Sequence, residues 1–190
     1  MNMQNVFIFH GTEGHPKENW FPWLKGELEA KGCKVFVPQF PSPPFVPAKI
    51  TEWFEVLKEY EMFVDENTIF VGHSLGGLFL LRVLERLNQP CKAAVFVGTP
   101  IGIQPLVNYD RDNAFSEFTF NWAAIRPKSK YFAVFHSDND PYVGLENGEQ
   151  LAKHLGTGLH FIPNAGHFNS KAGYTTFFQL LEKLEKYLSF

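Results

Sequence analysis

A chain of 190 residues with 45% apolar side chains is long enough to bury the core of one three-layer domain. Its net charge of −3, from 17 basic and 20 acidic residues with no basic stripe or run, argues against a nucleic-acid partner. Two cysteines, Cys33 and Cys91, lack metal-ligand spacing and are too few for a disulfide framework, so both read as structural thiols of a reducing compartment.

The opening residues Met1-Asn2-Met3-Gln4-Asn5 carry no basic cluster and lead into no long apolar segment. Neither a signal peptide nor a membrane span is expected, and a cytoplasmic location is the default. Val6-Phe7-Ile8-Phe9 is a continuous apolar run stopped by His10-Gly11, the pattern of a buried parallel strand. Trp20, Trp23, Leu24 and Leu28 then recur at helical spacing until Gly32. Val35-Phe36-Val37 is a second strand, and the proline-rich stretch from Pro38 to Pro47 excludes regular structure. Ile50, Trp53, Phe54 and Leu57 mark the next helix.

Thr68 to Val71 forms the third strand, and Gly72-His73-Ser74-Leu75-Gly76 follows it. This is the G-x-S-x-G pattern of a nucleophile elbow, in which a sharp strand-to-helix turn lifts a serine hydroxyl above the sheet. A serine capping an ordinary helix is the bland alternative for the pentapeptide alone. The helix after Ser74 is apolar almost all round, from Leu78 to Leu87, and belongs in the middle of a domain. Ala93 to Val97 is strand four. From Pro100 to Pro127 no periodicity holds, although Tyr109, Phe115, Phe118, Phe120 and Trp122 stand there; so long a connection is expected to be functional or partly helical. Tyr131 to Phe135 is strand five, a helix spans about 145–155, His160 to Pro163 is strand six, and a last helix covers Tyr174 to Leu188.

Strands alternating with helices imply right-handed crossovers and an α/β fold: a three-layer sandwich with a mostly parallel sheet of about six strands. A single domain over residues 1–190 is expected, with about 100–127 as a candidate lid or pocket insertion. Ligands bind such sheets beyond the carboxyl ends of the strands, where His10, Ser74, Asp138, Asp140 and His167 all fall. A serine becomes a nucleophile when a base takes its proton and a third group orients that base. Ser74, an acid at 138 or 140, and His167 occur in the chain order Ser, Asp, His. Position alone does not choose between the two acids.

With these residues in place the chain resembles the α/β-hydrolase fold. Within it, the chain looks like the small single-domain serine hydrolases related to retinoblastoma-binding protein nine. The likeness covers nearly the whole chain: the opening strand and glycine turn, the Trp-rich first helix, Gly72-His73-Ser74 with its following glycines, Asp140-Pro141, and Gly166-His167-Phe168. It implies Ser74, Asp140 and His167 as the catalytic residues and a carboxylic ester as substrate, with no metal or organic cofactor. Oxyanion-hole donors of such a site are the backbone N–H of Leu75 and one from the loop after strand one, here Thr12. Two departures stand out. Gly144 replaces a usual proline, which is expected to loosen its loop, and 100–127 has its own composition.

His73 and His136 are read as packing or supporting residues rather than catalytic ones, and Glu13 as a solvated loop acid, with a bias on the charge of the site as its alternative. The aromatics of 100–127 and the Pro41–Val46 turn point to an apolar acyl pocket for a small or medium ester. A thioesterase or amidase would use the same residues, and a non-catalytic protein-interaction module is the alternative of another class.

Overall fold

The structure is a computed structural model describing residues 3–44 and 46–188. Met1, Asn2, Ser189 and Phe190 lie outside the described residues, as does Phe45 of the Pro41–Val46 turn. Six strands form one sheet in the order β2-β1-β3-β4-β5-β6: β1 (Asn5–Phe9), β2 (Lys34–Phe36), β3 (Ile69–His73), β4 (Cys91–Val97), β5 (Ser129–His136) and β6 (Leu159–Phe161). Every pairing between them is parallel.

The alternation of side chains along each strand sorts the core into two halves. Val6, Ile8, Ile69, Val71, Val95 and Phe135 join one apolar cluster, which α1 (Phe21–Ala30) and α7 (Phe178–Glu185) cover. Phe7, Phe9, Phe70, Phe96 and Val134 join the other, beneath α2 (Ile50–Lys58), α3 (Leu75–Arg86) and α6 (Leu145–Leu155). The second half is the aromatic one: Phe40 stacks on Trp53 at 4.5 Å, and Phe79 packs against Phe9, Phe54 and Trp53. Phe79 is fully buried, so truncating it to alanine should cost about 3–5 kcal/mol.

Strand order reverses between β1 and β3. The chain leaves β1 over one face and β3 over the other, so the loops after these neighbouring strands part and leave a crevice between them. The segment after β4 is not a bare loop: α4 (Tyr109–Phe115) and α5 (Trp122–Ile125) lie within it. The last helix is shorter than its periodicity implies. Tyr174 and Phe177 precede it and pack instead against Phe168. Among the described residues no helix is long and apolar enough to cross a membrane.

Candidate active site

Ser74 stands between β3 and α3 with φ 55° and ψ −122°, a backbone conformation that a side chain other than glycine rarely adopts. Such strain costs on the order of 1–3 kcal/mol and persists only where the surroundings over-determine it. Here they do. The Ser74 N–H donates to Val97 O at 2.9 Å, and its carbonyl accepts the N–H groups of Gly77 and Leu78. Close approach does the rest: a Cβ on Gly76 would lie 2.3 Å from Phe9 O, and one on Gly72 would lie 2.6 Å from Gly76 O. The glycines of the elbow thus let α3 sit directly on β1 as well as on its own strand.

The loop after β1 runs against the serine. A Cβ on Gly11 would meet Ser74 Cβ at 2.9 Å, and Thr12 follows immediately. His10 fixes this loop. Its Nε2 accepts the Phe40 N–H at 3.0 Å, which leaves Nδ1 to donate to Gly11 O at 2.9 Å. Burial lowers its pKa to about 4, so the ring is neutral, as an accepting Nε2 requires. Leu75 opens α3, where the first N–H groups of a helix have no partner within the helix.

His167, in the loop after β6, lies with its Nδ1 2.7 Å from Asp140 Oδ2. The Asp140 side chain is fully buried. Burial pushes its pKa up, but the hydrogen bond and charge of His167, with the N–H groups of Tyr142 and Val143 on Oδ1, bring it below the usual value. An ionised carboxylate can only accept, so His167 Nδ1 carries the proton. From below, His73 Nε2 donates to His167 O at 2.8 Å. Burial lowers the His73 pKa to about 3, with the neighbouring His167 ring acting in the same direction. His136 likewise donates Nε2–H to Val143 O at 2.9 Å and braces the turn that holds Asp140. Both histidines pack behind the site.

Asp138, weighed above as an orienting acid, instead joins Ser137 and Asn139 in tying the two loops together. Asp138 Oδ1 accepts the Asn164 N–H, Ser137 Oγ the Ala165 N–H, and Asn139 Oδ1 the Gly166 N–H, at 2.8, 2.9 and 2.7 Å. No local signal could have shown this, because the partners lie 26 to 28 positions apart. Gly144 does not loosen its loop. Its N–H donates to Pro105 O at 2.9 Å, a bond that a proline could not make, and the Pro105 ring fills the space beside it.

Ser74 and His167 open into one cavity of about 330 Å³, which Thr12 also lines. Its walls are not apolar, against expectation. They carry Glu13, Glu18, Arg111, Asp112 and Lys171. The aromatics of 100–127 point elsewhere: Phe115 packs on Trp53, Phe118 lies against Tyr109 and Gly102, and Trp122 stacks on His154 at 4.4 Å. Asn108, just before α4, and Arg111 and Asp112 on it line the cavity, while Phe115 at the end of the helix packs into the core. Arg111 pairs with Glu13 at 3.0 Å across the mouth, so Glu13 is not merely a solvated acid.

The chain is similar to known proteins over nearly its whole length. Over 186 residues, 98% of this chain and 97% of the relative, the sequence is 28% identical to the YdeN protein of Bacillus subtilis (strain 168). The crystal structure of that ydeN gene product matches with a TM-score of 0.89, covering 97% of this chain and 98% of that one. The serine hydrolase RBBP9 of Rattus norvegicus is 24% identical over 171 residues, 90% of this chain and 87% of its own. Est1E of Butyrivibrio proteoclasticus, solved with ferulic acid bound, shares the fold at a TM-score of 0.73 and 16% identity, covering 98% of this chain and 88% of that one. The family described as serine hydrolase matches residues 6–186. The chain belongs to the serine hydrolase family.

Proposed function

We propose that the protein hydrolyses a carboxylic ester through an acyl-enzyme on Ser74, with His167 as base and Asp140 as its orienting acid. The observation that carries this reading is the buried 2.7 Å contact between Asp140 and His167, which opens on the same cavity as the strained serine. With Nδ1 occupied, Nε2 is the ring nitrogen left for the Ser74 proton.

Ser74 Oγ attacks the ester carbonyl and His167 takes its proton. The tetrahedral intermediate collapses by expelling the alcohol, which leaves with that proton. Water then attacks the acyl-enzyme, passes a proton to His167, and the acid departs as Ser74 is reprotonated. The developing oxyanion falls to the N–H groups of Leu75, at the positive end of α3, and of Thr12, on the loop that Gly11 brings against Ser74. Strain at Ser74 favours catalysis over a pure binding module, since a cleft that only binds has no need of it. Free, buried Cys33 and Cys91 accord with a reducing, cytoplasmic setting.

The test is twofold. A fluorophosphonate probe should label one serine, on the Ser74 peptide, and Ser74→Ala should abolish both the adduct and turnover of a chromogenic short-chain ester. Labelling at another serine, or turnover that survives the substitution, would remove Ser74 as the nucleophile.

A further inference from the structure

The cavity wall contributed by α4 contains a buried carboxylate that the reaction above does not use. Asp112 is 5% exposed, lines the same cavity as Ser74 and His167, and its Oδ1 has no hydrogen-bond partner among the described residues. The Nε of Arg111 beside it is also buried and unpartnered, while Nη1 of the same guanidinium is held by Glu13. Buried polar atoms are nearly always paired, and an exception in the wall of a site calls for an explanation in what the site binds.

The sign of the wall narrows what that is. Three acids, Glu13, Glu18 and Asp112, line the cavity against two cations, Arg111 and Lys171, and Arg111 is already committed to Glu13. With the Arg111–Glu13 pair set aside, Glu18 and Asp112 stand against Lys171, so the wall offers an anionic group no surplus of cations, whereas a hydroxyl or an ammonium would give the Asp112 carboxyl a partner. Burial raises the Asp112 pKa to about 7, with the charges of Arg111 and His167 pulling it down. The group is thus electrostatically within reach of the catalytic histidine.

We infer that Asp112 forms a polar subsite that selects esters carrying a hydrogen-bond donor, a hydroxyl or an ammonium group, next to the scissile bond. The inference rests on the reading of Ser74 as an ester-cleaving nucleophile. Its physical basis is asymmetric. A plain apolar group docked there leaves the carboxyl dehydrated and unpaired, and sites built around a substrate donor reject analogues that lack it far more strongly than apolar pockets reject a missing methylene.

Two matched series test it on the purified full chain: phenyl esters of propionic acid, lactic acid and alanine, and butyrate esters of ethanol, ethylene glycol and ethanolamine. In at least one series the wild type should favour a donor-bearing ester over the plain one by about tenfold or more in kcat/KM. Asp112→Ala should bring that ratio within about threefold of unity. Asp112→Asn separates the sources: it keeps an acceptor, so a preference for hydroxyl survives and one for ammonium falls. No donor preference in either wild-type series, with the plain esters hydrolysed, overturns the subsite, and so does a preference that persists in Asp112→Ala. Should that variant fail to fold, the wild-type series still decides. Absence of Ser74-dependent turnover on every ester overturns the esterase reading, and the subsite with it.

Discussion

Asn139 Oδ1 accepts the Gly166 N–H at 2.7 Å, so the loop that carries the acid grips the loop that carries the histidine one residue before the imidazole. Ser137 and Asp138 make the same kind of bond to Ala165 and Asn164. Four successive side chains after β5, counting Asp140 on His167, therefore set the position of the proposed base. Removing one grip shifts the ring without touching substrate. Asn139→Ala should lower kcat by about 10- to 100-fold, the scale of a small misplacement of a reacting group, with KM little changed. Steady-state kinetics beside circular dichroism would check it; a rise in KM at constant kcat would assign Asn139 to substrate binding instead.

Asp140 and Asp138 separate cleanly on their partners. Asp140→Asn keeps the shape but cannot hold the Nδ1–H tautomer, and should cut kcat by on the order of 10³–10⁴. Asp138→Asn retains an oxygen for the Asn164 N–H and should cost no more than about tenfold, roughly 1.4 kcal/mol. If the 138 variant loses more with its fold intact, the orienting acid is Asp138.

Much of this was legible in the chain because local signals and the fold agreed. The apolar runs marked every strand of the sheet, and Gly72 near the end of β3 with Gly76 after Ser74 lets α3 pass close to its own strand and to Phe9. The polar character of the cavity was not legible. Counting aromatics over 100–127 took Phe115, Phe118 and Trp122 for pocket lining, yet apolar rings also satisfy the core, and here the core took them. Nothing in Asp110-Arg111-Asp112-Asn113 sets Asp112 apart by sequence; its place in the cavity wall comes from where α4 lies. The grip of 137–139 on 164–166 depends on two loops meeting, which no short-range pattern encodes.

The placement of the aromatics has its own consequence. Trp122 stacks on His154 and packs with Phe120 against the core, outside the residues that line the Ser74 cavity. Trp122→Ala should cost about 1–3 kcal/mol of stability and leave the ranking of esters by acyl chain length as it was. Thermal melts and a chain-length series decide. A changed ranking with an unchanged melting temperature would return the ring to the pocket.

Acid should weaken the fold through its buried histidines. Burial lowers His73 to about 3 and His10 to about 4, and also depresses His136, all from an ordinary value of 6.5. Below 6.5 the unfolded chain takes up protons that the folded one refuses. Stability is then full above about pH 6.5 and falls as pH drops towards the folded values, by up to about 1.4 kcal/mol per pH unit for each histidine. His73→Gln, whose amide can still donate to His167 O, should flatten that slope by roughly one histidine's share. Melting temperatures at pH 5, 6 and 7 measure it, and equal slopes for variant and wild type would mean His73 is not held neutral by the fold.

Asp112 should act with the opposite sign. Burial raises its pKa from 3.8 to about 7, against Arg111 on its own helix and His167 across the cavity. Glu13, Glu18 and Lys171 are the other charged groups that line that space. Between these two values the folded state holds a proton that the unfolded state has released. The contribution is therefore fully present below about pH 4 and is lost as pH rises through 7. Asp112→Asn carries no such titration. Relative to wild type it should gain about 2 kcal/mol between pH 5 and pH 7, the linkage of one raised carboxyl over two units. Denaturant melts of the two proteins, taken at pH 5, 6, 7 and 8, give the difference directly. His73 and His10 remain in both and cancel in the comparison. A difference that is flat with pH would show that Asp112 titrates normally, as a hydrated carboxylate, and the argument that it waits for a donor from substrate would lose its electrostatic support. A difference growing in the expected direction would mean that the fold keeps at Asp112 a group that weakens it at neutral pH, the mark of a residue retained for what it binds.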